Sequence, residues 1–273
     1  MMVYRLWTID SRLSTQTMNR LQKLFNDKTN NLLSVYFTAG YPDLNGTVDV
    51  AEALEKAGVN FLEIGFPYSD PVADGPTIQN SSQTSLESGM TLNLLFEQLG
   101  ELRKRVSIPV ILMGYLNPVI QYGVERFCKK AAEVGVDGII VPDLPIYEYE
   151  TLYAKYFQDA GLSNIFLVTP QTSPERIEKI DSLTSAFIYL LSSSTITGKG
   201  LKVTDSIEGY YKRVNAMSLN SPTIIGFGIH NHDTFSKACE YANGAIVGSA
   251  FVKLQGEEDY LEKIPEFIRS IRG

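Results

Sequence analysis

The sequence predicts an α/β chain folded as a single (β/α)8 TIM barrel with an extra N-terminal helix. Three observations lead there. Eight short apolar runs alternate strictly with helix-period segments along the 273 residues. The runs are nearly continuous rather than alternating, as strands covered on both faces are. No linker interrupts the eight units, which favours one closed barrel over an open doubly wound sheet.

The runs are LLSVYFTA (32–39), FLEIG (61–65), PVILMGY (109–115), GIIV (138–141), IFLVT (165–169), AFIYLLS (186–192), TIIGFG (223–228) and GAIVG (244–248). Between them, GVERFCKKAAEVG places Val124, Phe127, Cys128 and Ala131 at the i, i+3, i+4, i+7 spacing of one buried helical face. Leu261, Ile264, Phe267, Ile268 and Ile271 do the same at the C-terminus, with Pro265 set to kink that helix or to start a new one. EKAGVNFLEIG, AEVGVDGIIVPD, QDAGLSNIFLVTP and EYANGAIVG echo one another: a helix ends, a glycine follows, and a strand begins. Residues 1–17 show no periodicity and precede a second plausible start, Met18, so the barrel is assigned to 18–273 and the tail is expected to be poorly ordered. From Met18, Leu21, Leu24 and Phe25 share one face of the extra helix.

Composition narrows the function. A net charge of −7 supplies no electrostatic footprint for nucleic acid or an anionic membrane. No apolar run approaches membrane-spanning length, and the N-terminus lacks a secretion signal. Cys128 and Cys239 lie far apart within helical patterns and read as free thiols of a reducing compartment. A cytoplasmic location is expected.

In this architecture the chemistry sits at the C-terminal ends of the strands. Glu63 stands inside the otherwise apolar second strand, and no strand carries a Lys or Arg to neutralise it. A glutamate lining an apolar barrel mouth has its pKa raised, because burial disfavours the charged form, and so suits a group that both donates and accepts a proton. The loop after it carries Asp70 and Asp74. From the residues alone these have two readings: turn or cap residues, or a second carboxylate folded back towards Glu63.

The last two strands end in GFGIHNHD and IVGSAF. Gly226, Gly228 and Gly248 there either make tight turns only, or let backbone N–H groups and following helix N-termini cradle an anion. Neither GFGIHN nor STITGKG matches a dinucleotide fingerprint or a P-loop. SSSTITGKGLKVT has the small, polar composition of a lid. His230 and His232 have no accompanying carboxylate–histidine cluster, so they read as solvent-facing residues rather than a metal site.

FLEIGFPYSDPVADGPTIQ closely resembles the signature of the tryptophan synthase alpha subunit family. FTAGYPD, PVILMGYLNPV, GIIVPDLP, YLLSSSTITG, GFGI and VGSA follow in the family's order, so the likeness extends from about Leu33 to the C-terminus. The resemblance implies a lyase that cleaves indole-3-glycerol phosphate to indole and glyceraldehyde 3-phosphate by a retro-aldol reaction, without metal or cofactor. It places Glu63 on the catalytic acid–base and Asp74 on the aspartate that holds the indole N–H. Tyr36, Tyr115, Ile140, Val168, Tyr189 and Phe227 fall on the substrate pocket, and Thr197 on the lid threonine that meets the aspartate. Gly198, Gly228, Gly248 and Ser249 fall on the phosphate site. Pro67, Asp70, Pro71 and Asn117 fall on contacts to a beta subunit, which would carry the pyridoxal phosphate of an alpha2–beta2 tetramer.

The chain departs from the family at the lid. Ser192-Ser193-Ser194-Thr195-Ile196-Thr197-Gly198 lacks the arginine and the first glycine of the common S-R-x-G-V-T-G. The rival readings are a stand-alone lyase that releases free indole and a non-catalytic barrel that activates a partner. A sugar-phosphate isomerase on the same barrel would have no need of PYSDPVADG.

Overall fold

The computed structural model describes residues 18–191 and 207–273. The tail 1–17 and the lid segment, with Thr197 and Gly198, lie outside the described residues.

Nine short strands form one all-parallel ladder: β1 (Leu32–Thr38), β2 (Phe61–Gly65), β3 (Val110–Met113), β4 (Gly138–Ile140), β5 (Ser163–Ile165), β6 (Leu167–Val168), β7 (Ile188–Leu191), β8 (Thr223–Gly226) and β9 (Gly244–Val247). Their order is β5-β4-β3-β2-β1-β9-β8-β7-β6. Only Phe166 separates β5 from β6, and its carbonyl accepts a hydrogen bond from Tyr189 N at 3.0 Å. Those two strands are one barrel position, so the ladder closes on itself with eight.

The pleat sorts side chains to two sides of the wall. Leu33, Val35, Phe37, Leu62, Ile64, Leu112 and Val247 pack outward under the helices. Leu32, Tyr36, Phe61, Ile111, Met113, Ile140, Tyr189, Ile224 and Ile246 fill the barrel. Glu63 lies two residues from Phe61 and therefore faces inward.

The extra helix, Arg20–Asp27, begins with a reciprocal capping box between Asn19 and Gln22, a device that stabilises a helix by about 1 kcal/mol. Its Leu21 and Phe25 join the interior cluster, Phe25 packing on Phe61 and Phe187 at ring separations of 6.0 and 5.3 Å. Asn19 Nδ2 also donates to Ser163 Oγ at 3.1 Å. This contact helps start β5 two residues before the apolar run does.

Smaller expectations divide. The glycines that end helices before β2, β4 and β5 have φ of +93°, +85° and +67° at Gly58, Gly135 and Gly161. Gly244 instead opens β9, where a Cβ would meet Leu32 O at 2.1 Å. Tyr260–Arg272 is one helix with Pro265 inside it, so no new helix starts there, and Leu261 is 39% exposed. Both cysteines are free. Among the described residues no helix is long and apolar enough to cross a membrane.

Candidate active site

β2 carries Glu63 because the strand is apolar on both sides of it, and burial of those neighbours takes the carboxyl with them. Its register aligns Glu63 with Tyr36 of β1 and Ile111 of β3. Glu63 is 0% exposed, and neither carboxyl oxygen has a hydrogen-bond partner among the described residues. Burial alone pushes its pKa up to about 8. At neutral pH this group is a carboxylic acid.

Asp74 reaches the same region through the loop that follows β2. The next helix, Pro76–Glu87, is capped by Gly75 without any side-chain bond, so Asp74 is not its cap. Its carboxylate instead accepts the Tyr115 hydroxyl at 2.9 Å, while that hydroxyl accepts Ala73 N–H at 2.9 Å. Gln79 Nε2 donates to Asp74 O at 2.8 Å and fixes the loop from the helix side. Burial raises the Asp74 pKa, and the Tyr115 hydrogen bond opposes that rise. The two carboxyls thus sit in unlike surroundings: among the described residues Glu63 has no hydrogen-bond donor and Asp74 has one.

Two tyrosines cross the barrel at this level. Tyr189 on β7 lies over Gly226 of β8, where a Cβ would fall 2.0 Å from the phenolic oxygen. Tyr36 lies over Gly65 in the same way, at 2.1 Å. Glycine is required at both places by close approach. Burial, and after it the Glu63 and Asp74 charges, holds the Tyr189 phenol far above its ordinary value, so it remains a neutral hydroxyl.

Asp74, Tyr36 and Tyr189 bound a cavity of about 470 Å³, and Glu63, buried in the barrel wall beside Tyr36, is not among its lining residues; the volume is within the usual range for small-molecule sites. Tyr36, Asp74, Tyr189, Phe227, Gly228, Gly248 and Ser249 all line it. Part of the lining is apolar, with Ile78, Met113 and Ile246, and part is backbone from the last two strand ends. A larger cleft of about 800 Å³ opens among residues that precede the strands, such as Ala186 and Pro222, but no titratable side chain lines it.

The anion cradle differs in part from expectation. Gly248 caps Ser249–Gln255, a helix that begins directly at the strand end. After β8, however, the helix starts only at His232, and its cap Asn231 already takes Thr234 N–H at 2.9 Å. Gly228, with φ of +77°, therefore lies in loop backbone and not at a helix N-terminus.

Other expected pocket residues separate. Ile140 faces the barrel interior, fully buried, without lining the cavity. Tyr115 holds Asp74 rather than forming the cavity wall. Val168 does not belong to the pocket: it packs in the outer cluster, and Leu167 takes the interior position, because adjacent strand residues point to opposite faces. Outside the cavity, Pro67, Asp70 and Asn117 edge a shallow groove, with Pro71 in the same loop. Asn117 Nδ2 donates to the Tyr68 hydroxyl at 3.2 Å, and the Tyr68 ring packs on Tyr115 at 5.4 Å. Sequence reasoning missed Ile78, Met113 and Ile246, which carry no polar signal, and Lys253 and His230 at the cavity edge. Among the described residues no three His, Cys, Asp or Glu side chains are grouped as metal donors.

A family model described as the tryptophan synthase alpha chain matches residues 21–268. The tryptophan synthase alpha chain of Flavobacterium psychrophilum is 53% identical over 255 residues, covering 93% of this chain and 100% of the relative. That of Christiangramia forsetii is 52% identical over 257 residues, covering 94% and 99%. Among solved structures, the Legionella pneumophila tryptophan synthase alpha chain superposes with a TM-score of 0.81 at 33% identity, covering 93% and 96%. Tryptophan synthase from M. tuberculosis in its aminoacrylate-bound form gives 0.81 at 29% identity, covering 93% and 98%.

Proposed function

The chain belongs to the tryptophan synthase alpha chain family and is a lyase of tryptophan biosynthesis, and from that premise we propose that Glu63 and Asp74 carry its cleavage of indole-3-glycerol phosphate. One observation supports the assignment most: a neutral Glu63 carboxyl inside the barrel at the level of Tyr36, without a hydrogen-bond partner among the described residues, with Asp74 lining the cavity that Tyr36 also lines.

Indole is a good leaving group only once its C3 is protonated and its ring nitrogen shares the charge. Glu63, which holds its proton to about pH 8, delivers it to C3. Asp74, oriented by Tyr115, accepts the ring N–H and stabilises the cationic indolenine. The Glu63 carboxylate then takes the proton of the side-chain hydroxyl, the C–C bond breaks, and its electron pair restores the aromatic ring. Glu63 ends the cycle protonated. Tyr36, Tyr189 and Phe227 flank the indole, and Gly228, Gly248 and Ser249 hold the phosphate. Thr197 and Gly198 would add lid contacts to Asp74 and the phosphate. No metal or cofactor takes part in this chain.

The partner is a pyridoxal-phosphate-dependent beta subunit in an alpha2–beta2 assembly, docked on the rim that bears Pro67, Asp70, Pro71 and Asn117. Val72 and Ile120, 74% and 49% exposed, offer apolar surface on that rim. Asn117 to Tyr68, Tyr68 to Tyr115 and Tyr115 to Asp74 form a contact path from rim to carboxylate. Docking that orders this path populates the competent site. Supplied with indole-3-glycerol phosphate in EDTA, the isolated chain should release indole slowly, and a beta subunit should raise the rate at least about tenfold, or about 1.4 kcal/mol of coupling. Asp70→Ala should weaken the activation more than the isolated rate. Full activity alone, with no binding by calorimetry, would establish a stand-alone lyase instead, and inhibition by EDTA reversed by a divalent ion would overturn the metal-free mechanism.

A further inference from the structure

The phosphate cradle is short of positive charge. Gly228 and Gly248 offer backbone N–H groups and Ser249 a hydroxyl, while Asp74 lines the same cavity and the chain carries a net charge of −7. Of the described residues that line the cavity, Lys253 is the single Lys or Arg. It stands four residues after Ser249 in the helix Ser249–Gln255, and therefore on the same face. Side chains on a helix lean towards its N-terminus, so the Lys253 stem is directed back towards Gly248 and Ser249.

Among the described residues Lys253 makes no hydrogen bond or ion pair, whereas Lys237 and Lys263 on nearby helices bind Glu240 and Glu257 at 3.0 and 2.8 Å. His230, also at the cavity edge, does not substitute for it. Its Nδ1 lies 2.8 Å from Gly228 O, which can only accept, so that nitrogen is committed to the backbone. Among the described lining residues, Lys253 is thus the one Lys or Arg available to a phosphate at the cradle.

We propose that Lys253 is a further substrate-binding residue, whose ammonium pairs with the phosphate monoester and sets affinity for the phosphorylated substrate. The proposal rests on the reading that the phosphate occupies Gly228, Gly248 and Ser249. Because Lys253 sits one helical turn after Ser249, beside the residues read as holding the phosphate, it acts on binding and leaves the bond-breaking step alone.

The test uses the assembled enzyme with its beta subunit and three variants: Lys253→Met, Lys253→Arg and Gly248→Asp. Lys253→Met should raise KM for indole-3-glycerol phosphate about tenfold, the loss of one charge-assisted contact, with kcat changed by less than about twofold. Competitive inhibition by inorganic phosphate should weaken to the same degree. The inhibition constant of indole, which has no phosphate, should stay put, and Lys253→Arg should recover most of the affinity. Gly248→Asp should raise KM whatever Lys253 does. If Gly248→Asp raises KM and Lys253→Met does not, Lys253 has no part in binding and the phosphate site stands. If neither variant moves KM or phosphate inhibition, the phosphate site itself is wrong. Equal weakening of indole and phosphate in Lys253→Met would also overturn the proposal, since a change of cavity shape and not of charge would then be responsible.

Discussion

Glu63→Gln is expected to lower turnover of indole-3-glycerol phosphate by about 10²–10⁴-fold, the usual worth of a positioned proton donor and acceptor. The amide keeps the shape of the side chain and cannot exchange the proton. Circular dichroism and phosphate inhibition should match the wild type, which separates lost chemistry from lost structure. The same substitution changes stability in a direction the pKa dictates. The folded chain holds the Glu63 proton to about pH 8, against an ordinary value of 4.5. Between those values the unfolded chain releases a proton that the folded chain keeps. Stability therefore falls as pH rises from 4.5 to about 8 and levels off above. Gln cannot ionise, so the variant escapes a loss on the order of 2–5 kcal/mol. Urea denaturation at pH 5 and pH 9 reads this directly. Near-normal turnover would remove Glu63 from the mechanism, and an unchanged pH dependence of stability would mean that it is ionised in the folded state.

Asp74→Asn should cost about 10²–10³-fold in kcat, comparable to removing one preorganised group from a developing charge. An amide can still hydrogen-bond to the ring N–H, so KM should change little. Phosphate inhibition should be unaltered, because Gly228, Gly248 and Ser249 are untouched. Tyr115→Phe leaves the carboxylate in place but removes the 2.9 Å hydrogen bond that orients it. Its loss should be smaller, about tenfold. An Asn variant with kcat near wild type would return Asp74 to the role of an ordinary loop residue.

What the sequence made legible follows the physics that acts over short distances. The eight barrel positions were visible because strands buried on both faces must be continuously apolar, and Glu63 was visible because it violates that rule. β5 begins earlier than its apolar run because Ser163 and Asn164 are buried polar residues, with Ser163 bonded to Asn19 of a helix far away in the chain. Val168 and Leu167 exchange places because a single residue of register inverts every side chain of a strand, and matching motifs one by one does not supply the pleat. The Asp74 side chain could not be distinguished from a helix cap until Gly75 was seen to occupy that position and Tyr115, from another strand end, to hold the carboxylate. Lys253 escaped notice because it lies a turn into a helix rather than at a strand end.

The central claim is that Glu63 enters the reaction as a neutral acid. The measurement closest to it is kcat/KM for indole formation by the assembled enzyme from pH 6 to pH 10, with Glu63→Gln alongside. The wild-type rate should fall tenfold per pH unit above about 8, where Glu63 loses its proton. The residual rate of the variant should lack that descending limb. A wild-type profile flat to pH 10, or a descending limb that survives in Glu63→Gln, would contradict the assignment.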